Sequence, residues 1–141
     1  MILPVPKANA MLICDYVITE RGTNKKSLIG IFENIGAVVF PCTHFAMSVY
    51  IKLTDAQGGY HFRLELVDLQ TDTTIGKSEM PEEVQVPSPL LAHELVFNLR
   101  GVRFMHAGEY EFRIFSNDKI FGQKKFVVEQ MTQNPSADEN V

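Results

Sequence analysis

Apolar and polar residues alternate with a period of two through most of this chain, most plainly at Gly108–Phe115. There Tyr110, Phe112 and Ile114 point one way while Glu111 and Arg113 point the other. That is the pattern of a strand with one face in a core and one in water. A second run, His44–Thr54, sets Phe45, Met47, Val49, Ile51 and Leu53 against His44, Ala46, Ser48, Tyr50, Lys52 and Thr54. Asp55–Gly59 then reads as a hairpin loop with glycines where positive φ is wanted. Tyr60, Phe62, Leu64 and Leu66 line the return, opposite His61, Arg63 and Glu65.

Weaker patterns fill in the rest. Ala10–Ile18 is apolar on both faces apart from Asp15, and Ser27–Ile35 follows the turn at Glu20–Asn24. A short strand is expected at Thr74–Glu79 and an edge strand at Val84–Val86. Pro81, Pro87 and Pro89 with Glu79, Glu82 and Glu83 guard that edge against stray pairing. Leu90–Arg100 carries His93, Leu95, Phe97 and Leu99 on one side, and Ile120–Gln130 follows the tight turn at Ser116–Lys119. Pro41 keeps Val38–Thr43 out of a central strand, and Gly101–Ala107 reads as the loop feeding the Gly108 strand. Seven to nine short strands, frequent turns and no amphipathic helix predict an all-β antiparallel sandwich of immunoglobulin-like type. No internal repeat is present, which excludes a propeller or solenoid.

With 141 residues the chain is one domain by ordinary size, large enough to hold a core without a disulfide or metal. Residues 1–9, with Pro4 and Pro6, form an extended lead-in; residues 10–130 form the sandwich; residues 131–141 read as a disordered polar tail. The net charge is −4, and Lys25-Lys26 and Lys124-Lys125 are the only adjacent basic pairs. Phosphate contacts need clustered positive charge, so nucleic acid is not the expected partner. No signal-peptide pattern opens the chain, and no apolar run approaches the ~20 residues that span a bilayer. Cys14 and Cys42 have neither metal nor redox spacing. The expectation is a cytoplasmic chain with two reduced thiols and no membrane partner.

Ala107-Gly108-Glu109-Tyr110-Glu111-Phe112 resembles the Gly-x-Tyr-x-Cys signature of immunoglobulin-like domains. The resemblance implies a tyrosine corner at Tyr110, its hydroxyl bonding back to upstream backbone. Phe112 stands at the cysteine's place, so the inter-sheet disulfide is not implied, and His106 replaces the usual acid before the glycine. Leu12–Val17, Ser27–Phe32 and Glu94–Leu99, with the Gly108 run, resemble a family of uncharacterised bacterial proteins over roughly residues 10–129, one domain's length. That resemblance implies a stand-alone β-sandwich and transfers no catalytic residue.

No nucleophile elbow, phosphate-binding glycine loop or His-Glu-x-x-His motif occurs, so no catalytic residue, cofactor or enzyme activity is expected. His44, His61, His93 and His106 are far apart in sequence. Counting strands up and down leaves Asp55 and Asp118 at one pole and Asp68 and Asp72 at the other, too few for a calcium cage. The same counting gathers Val38–Thr43, Asp68–Thr74 and Gly101–Ala107 at one pole with the lead-in. Phe40, Arg103, Phe104, Met105 and His106 then become candidates for binding another protein, being residue types that interface cores favour. The competing reading makes Phe40 and Phe104 plugs for the open end of the sandwich. The expected role is non-catalytic binding or scaffolding through loops or an exposed sheet edge. One alternative is a subunit of a homo-oligomeric assembly, with the first strand pairing in a homodimer. Another is a domain for a small molecule or carbohydrate; the absence of tryptophan counts against the latter.

Overall fold

Eleven strands and no helix make up the described residues, 2–132, of the computed structural model. In chain order they are β1 (Lys7–Thr19), β2 (Lys26–Ile31), β3 (Asn34–Ala37), β4 (Cys42–Thr54), β5 (Gly58–Tyr60) and β6 (Phe62–Asp68). These are followed by β7 (Thr73–Glu79), β8 (Val84–Val86), β9 (His93–Phe104), β10 (Gly108–Ser116) and β11 (Lys119–Gln130). One sheet has the order β2-β1-β4-β9 and the other β3-β11-β10-β6-β7, with β5-β8 as a small ribbon. The molecule is an immunoglobulin-like β-sandwich, as the strand pattern predicts.

Two details of the prediction are corrected: there are eleven strands where seven to nine were expected, and the sandwich is not wholly antiparallel. The expected strand Ser27–Ile35 divides at Phe32-Glu33. Its first part stays beside β1, whereas β3 crosses to the other sheet and runs parallel to β11. The Val127 N–H donates to the Glu33 carbonyl at 3.0 Å and fixes that crossing. Period-two patterning does not distinguish one long strand from two short ones on different sheets.

The core interleaves Ile13, Met47, Val49, Ile51, Leu95 and Phe97 of one sheet with Phe62, Leu64, Tyr110, Phe112, Ile114 and Phe126 of the other. Each such side chain contributes roughly 1.5–3 kcal/mol when fully buried. Phe112 stacks on Phe126 with ring centroids 5.2 Å apart. The Tyr110 hydroxyl donates to the His106 carbonyl at 2.7 Å, so the tyrosine corner implied by the Gly108 motif is formed. Both cysteines are free thiols, Cys14 buried on β1 and Cys42 half-buried at the start of β4.

Strand β9 departs from expectation in a way that shapes one side of the molecule. It starts at His93 and continues through Phe104, so Gly101–Phe104 is strand and not loop. Its register with β4 is the same on both sides of Gly101, from Leu99↔Met47 and Arg100↔Ala46 to Val102↔His44 and Phe104↔Cys42. The side facing the core nevertheless changes at Gly101: Leu95 and Phe97 are buried before it and Phe104 after it. Gly101 sits at φ 62, a left-handed conformation that only glycine adopts at no steric cost. On the partner strand Phe45, expected in line with Met47, is 76% exposed. Nothing lies within 4 Å of a Cβ added at Gly101, so Gly101→Ala tests backbone conformation alone. It should lower stability by about 1–2 kcal/mol in urea denaturation, with Gly101→Asn milder because asparagine tolerates the left-handed region.

The lead-in also needs correcting. The Pro4 carbonyl accepts from the Tyr60 hydroxyl at 2.7 Å, and β1 is under way by Lys7, opposite Thr54. The N-terminal segment therefore lies at the Asp55–Gly58 end, away from the pole of Val38–Thr43 and Asp68–Thr74. Of the expected tail, Met131 donates its N–H to the Ala37 carbonyl at 2.8 Å; residues 133–141 lie outside the described residues. Among the described residues no helix is long and apolar enough to cross a membrane.

Candidate functional site

The pole named by strand counting does assemble, but its residues divide. His106 meets Asp68, and Phe104 is paired with Cys42, so the ends of β4, β6 and β9 converge. Phe104 is 0% exposed. Its ring stands edge-on to Tyr110 at 4.9 Å and to Phe126 at 5.8 Å. Phe40 is half-buried and packs against the same core. Both aromatics belong to the packing, because the change of face at Gly101 turns Phe104 inward. Met105 is 62% exposed and Arg103 is exposed; these two remain available at the surface.

His106 is occupied structurally. Its Nδ1 lies 2.7 Å from the Ala107 carbonyl and its Nε2 2.5 Å from the Asp68 carboxylate. Both partners are acceptors, so the contact is satisfied at both ring nitrogens when the ring carries two N–H donors, as an imidazolium. The Ala107 carbonyl first and the Asp68 carboxylate second hold the His106 pKa above its ordinary value. Burial pushes the Asp68 carboxyl up, but the His106 bond and the backbone amides of Gln70 and Thr71 outweigh it, and the net shift is downward. The ring also stacks on Tyr110 at 5.7 Å. This histidine clamps the tyrosine corner.

A more open site lies where the sheets part. On one side of the sandwich β1 closes against β11: a Cβ on Gly122 would sit 3.0 Å from both Ala8 and Ile114. On the other side the edge strands β7 and β9 leave a cleft of about 400 Å³ between them. The cause is local sequence. The β6–β7 register puts Gly76 opposite Leu66 and Ser78 opposite Leu64, so those two positions carry almost no side chain. Ile75, at an irregularity in the ladder, is the large apolar residue β7 adds to the lining. Leu64, Leu66 and Phe112 floor the cleft, with Leu99 and Val102 on the β9 wall. Lys77, Arg100 and Arg103 stand at the rim and are exposed. None of the three is in an ion pair among the described residues, and no acid is among those lining the cleft.

An apolar floor beside three cations that are outside any ion pair among the described residues suits an occupant that is apolar on one side and anionic on the other. Of the five residues singled out from sequence, only Arg103 lines this cleft. The signal for the rest was Gly76 and Ser78, small residues at alternate positions where a core strand would carry branched ones. A second surface is the outer face of β1 and β2. Tyr16, Ile18, Ile29 and Ile31 are exposed there, with Tyr16 directly across from Ile29. No cluster of three or more His, Cys, Asp or Glu side chains suited to a metal occurs among the described residues.

The model of a family of unknown function, DUF6941, matches residues 9–129. No curated protein matches the chain. Among solved structures, the chain is similar to the alkylpurine DNA glycosylase AlkC of Pseudomonas fluorescens bound to DNA containing an abasic site analog. The identity there is 8% and the TM-score 0.55, over 88% of this chain and 30% of that one. A β-glucosidase from Listeria innocua in complex with glucose matches at 9% identity and a TM-score of 0.49, over 92% of this chain and 16% of that one. An immunoglobulin-like protein from Pseudomonas aeruginosa matches at 15% identity and a TM-score of 0.44, over 89% and 97%. The chain thus spans less than a third of the glycosylase, and at 8% identity that likeness speaks to fold alone.

Proposed function

We propose that this chain, which belongs to the DUF6941 family of unknown function, is a non-catalytic module that binds another protein through the open β7–β9 side of its sandwich. The observation that carries the reading is the cleft, whose apolar floor and unpaired Lys77, Arg100 and Arg103 occur together in a chain of net charge −4. Of the two modes expected from sequence, loops or a sheet edge, the edge is the better supported, because Phe40, Phe104 and His106 at the loop pole are committed to packing. A non-catalytic role fits the His106–Asp68 contact, whose atoms are all engaged in holding backbone and each other. Two free thiols fit a reducing compartment such as the bacterial cytoplasm.

Selecting displayed peptides on the folded protein tests this. Gly76→Val with Ser78→Leu fills the cleft from β7, and a Cβ at Gly76 meets only Leu66 at an ordinary 3.8 Å. Selected binders should lose about tenfold or more in affinity for the filled variant, about 1.4 kcal/mol, while its melting temperature holds or rises. Binders indifferent to the filling would overturn the reading. The exposed Tyr16, Ile18, Ile29 and Ile31 favour a second reading, a homo-assembly formed through β1 and β2. Light scattering that finds a monomer at high concentration ends it.

A further inference from the structure

Resting on the β7–β9 side as the binding surface, we infer that the partner supplies an extended segment of alternating acidic and apolar residues, which adds to β9 as a fifth strand of its sheet. Strand β9 is an edge, hydrogen-bonded to β4 alone, and among the described residues no turn or loop backbone bond reaches His93–Phe104. Its outer N–H and C=O groups are therefore a template for another strand. The prolines and glutamates that blunt an edge in this chain lie at Glu79–Pro89, around β8, and β9 has no proline. An added strand points every second side chain toward the gap between the sheets and the others away from it.

The floor it would meet is also spaced by two, at Leu64 and Leu66, and Gly76 and Ser78 leave room above it. The rim it would meet is Lys77, Arg100 and Arg103, which calls for carboxylates. A small amphipathic anion would satisfy the floor and the cations but leave the β9 backbone unpaired, and an amphipathic helix would do the same. Only an extended chain uses all three features. Because Gly101 turns β9 over, the pairing belongs to the stretch ending at Arg100, about the ordinary strand length of five or six residues.

The probe is a labelled peptide of alternating glutamate and valine, about eight residues long to allow for fraying. A lysine–valine peptide and dodecanoate serve as comparators, with the intact chain as receptor. The acidic peptide should bind, weaken with salt, and lose about tenfold or more in affinity to the Arg100→Glu/Arg103→Glu variant. Amide exchange at His93–Arg100 should slow on binding. Equal binding of the lysine peptide overturns the proposal, as does binding that vanishes in the cleft-filled variant yet protects no β9 amide; in that last case the cleft remains a protein-binding surface. Binding of dodecanoate with neither peptide bound overturns both the strand addition and the protein-binding reading.

Discussion

Phe104→Ala should cost about 3–5 kcal/mol of folding stability, the range for truncating a fully buried aromatic. The ring is 0% exposed and meets Tyr110 and Phe126 edge-on, so its loss opens a cavity beside the tyrosine corner. For a domain of this size the melting temperature should fall on the order of 10 °C. Met105→Ala, one residue further on, is the internal control: its side chain is largely exposed and the change should stay within about 0.5 kcal/mol. Equal effects at the two positions would mean that Phe104 does not face the core, and the inversion of β9 at Gly101 would fall with it. Any loss of partner binding by Phe104→Ala has to be compared with that of Arg100→Glu/Arg103→Glu, because Arg103 lines the cleft and Phe104 does not.

The same pair of neighbours shows what the sequence could reveal. Regular alternation identified the strand at Gly108–Phe115, the run at Met47–Leu53 and the return at Phe62–Leu66, because one face of each is buried along its whole length. The tyrosine corner was legible from a glycine and a tyrosine at fixed spacing. The inversion at Gly101 was not: a single left-handed glycine moves every later side chain to the opposite face. Phe104 therefore reads as a loop aromatic, either an interface residue or an end plug, and not as part of a strand, and Phe45 reads as core although it is exposed. The split of β2 from β3 was hidden for a related reason, since Ile29, Ile31 and Ile35 share a period but not a sheet. The cleft was least legible. It exists because Gly76 and Ser78 fail to cover Leu66 and Leu64, and an absence of side chain has meaning only once the register is known. Arg100 and Lys77 looked like ordinary scattered surface charge until the fold brought them to one rim.

The second large effect concerns the clamp on the tyrosine corner and depends on pH. His106 has a raised pKa in the folded chain, so its contribution is complete below its ordinary value of about 6.5 and is lost as pH rises through the raised one. Asp68 has a lowered pKa, so its contribution is present above its ordinary value of about 3.9 and is lost as pH falls through the lowered one. The ion pair is whole between those limits, from acid to near-neutral pH. Asp68→Ala removes a buried acceptor from His106 and from the Gln70 and Thr71 amides, and should cost about 1.5–3 kcal/mol inside that window. The deficit should shrink on the alkaline side, because the wild type itself gives up the imidazolium there. Nuclear magnetic resonance titration should show the His106 pKa falling in the variant, with the Ala107 carbonyl still holding it up in part. A gap between wild type and variant that stays constant from about pH 5 to pH 9 would rule out the charged pair. The clamp also predicts coupling: the Tyr110 hydroxyl bonds to the His106 carbonyl, so Tyr110→Phe and Asp68→Ala should be non-additive by about 0.5 kcal/mol or more. Additive losses would mean that the corner and the ion pair merely sit side by side.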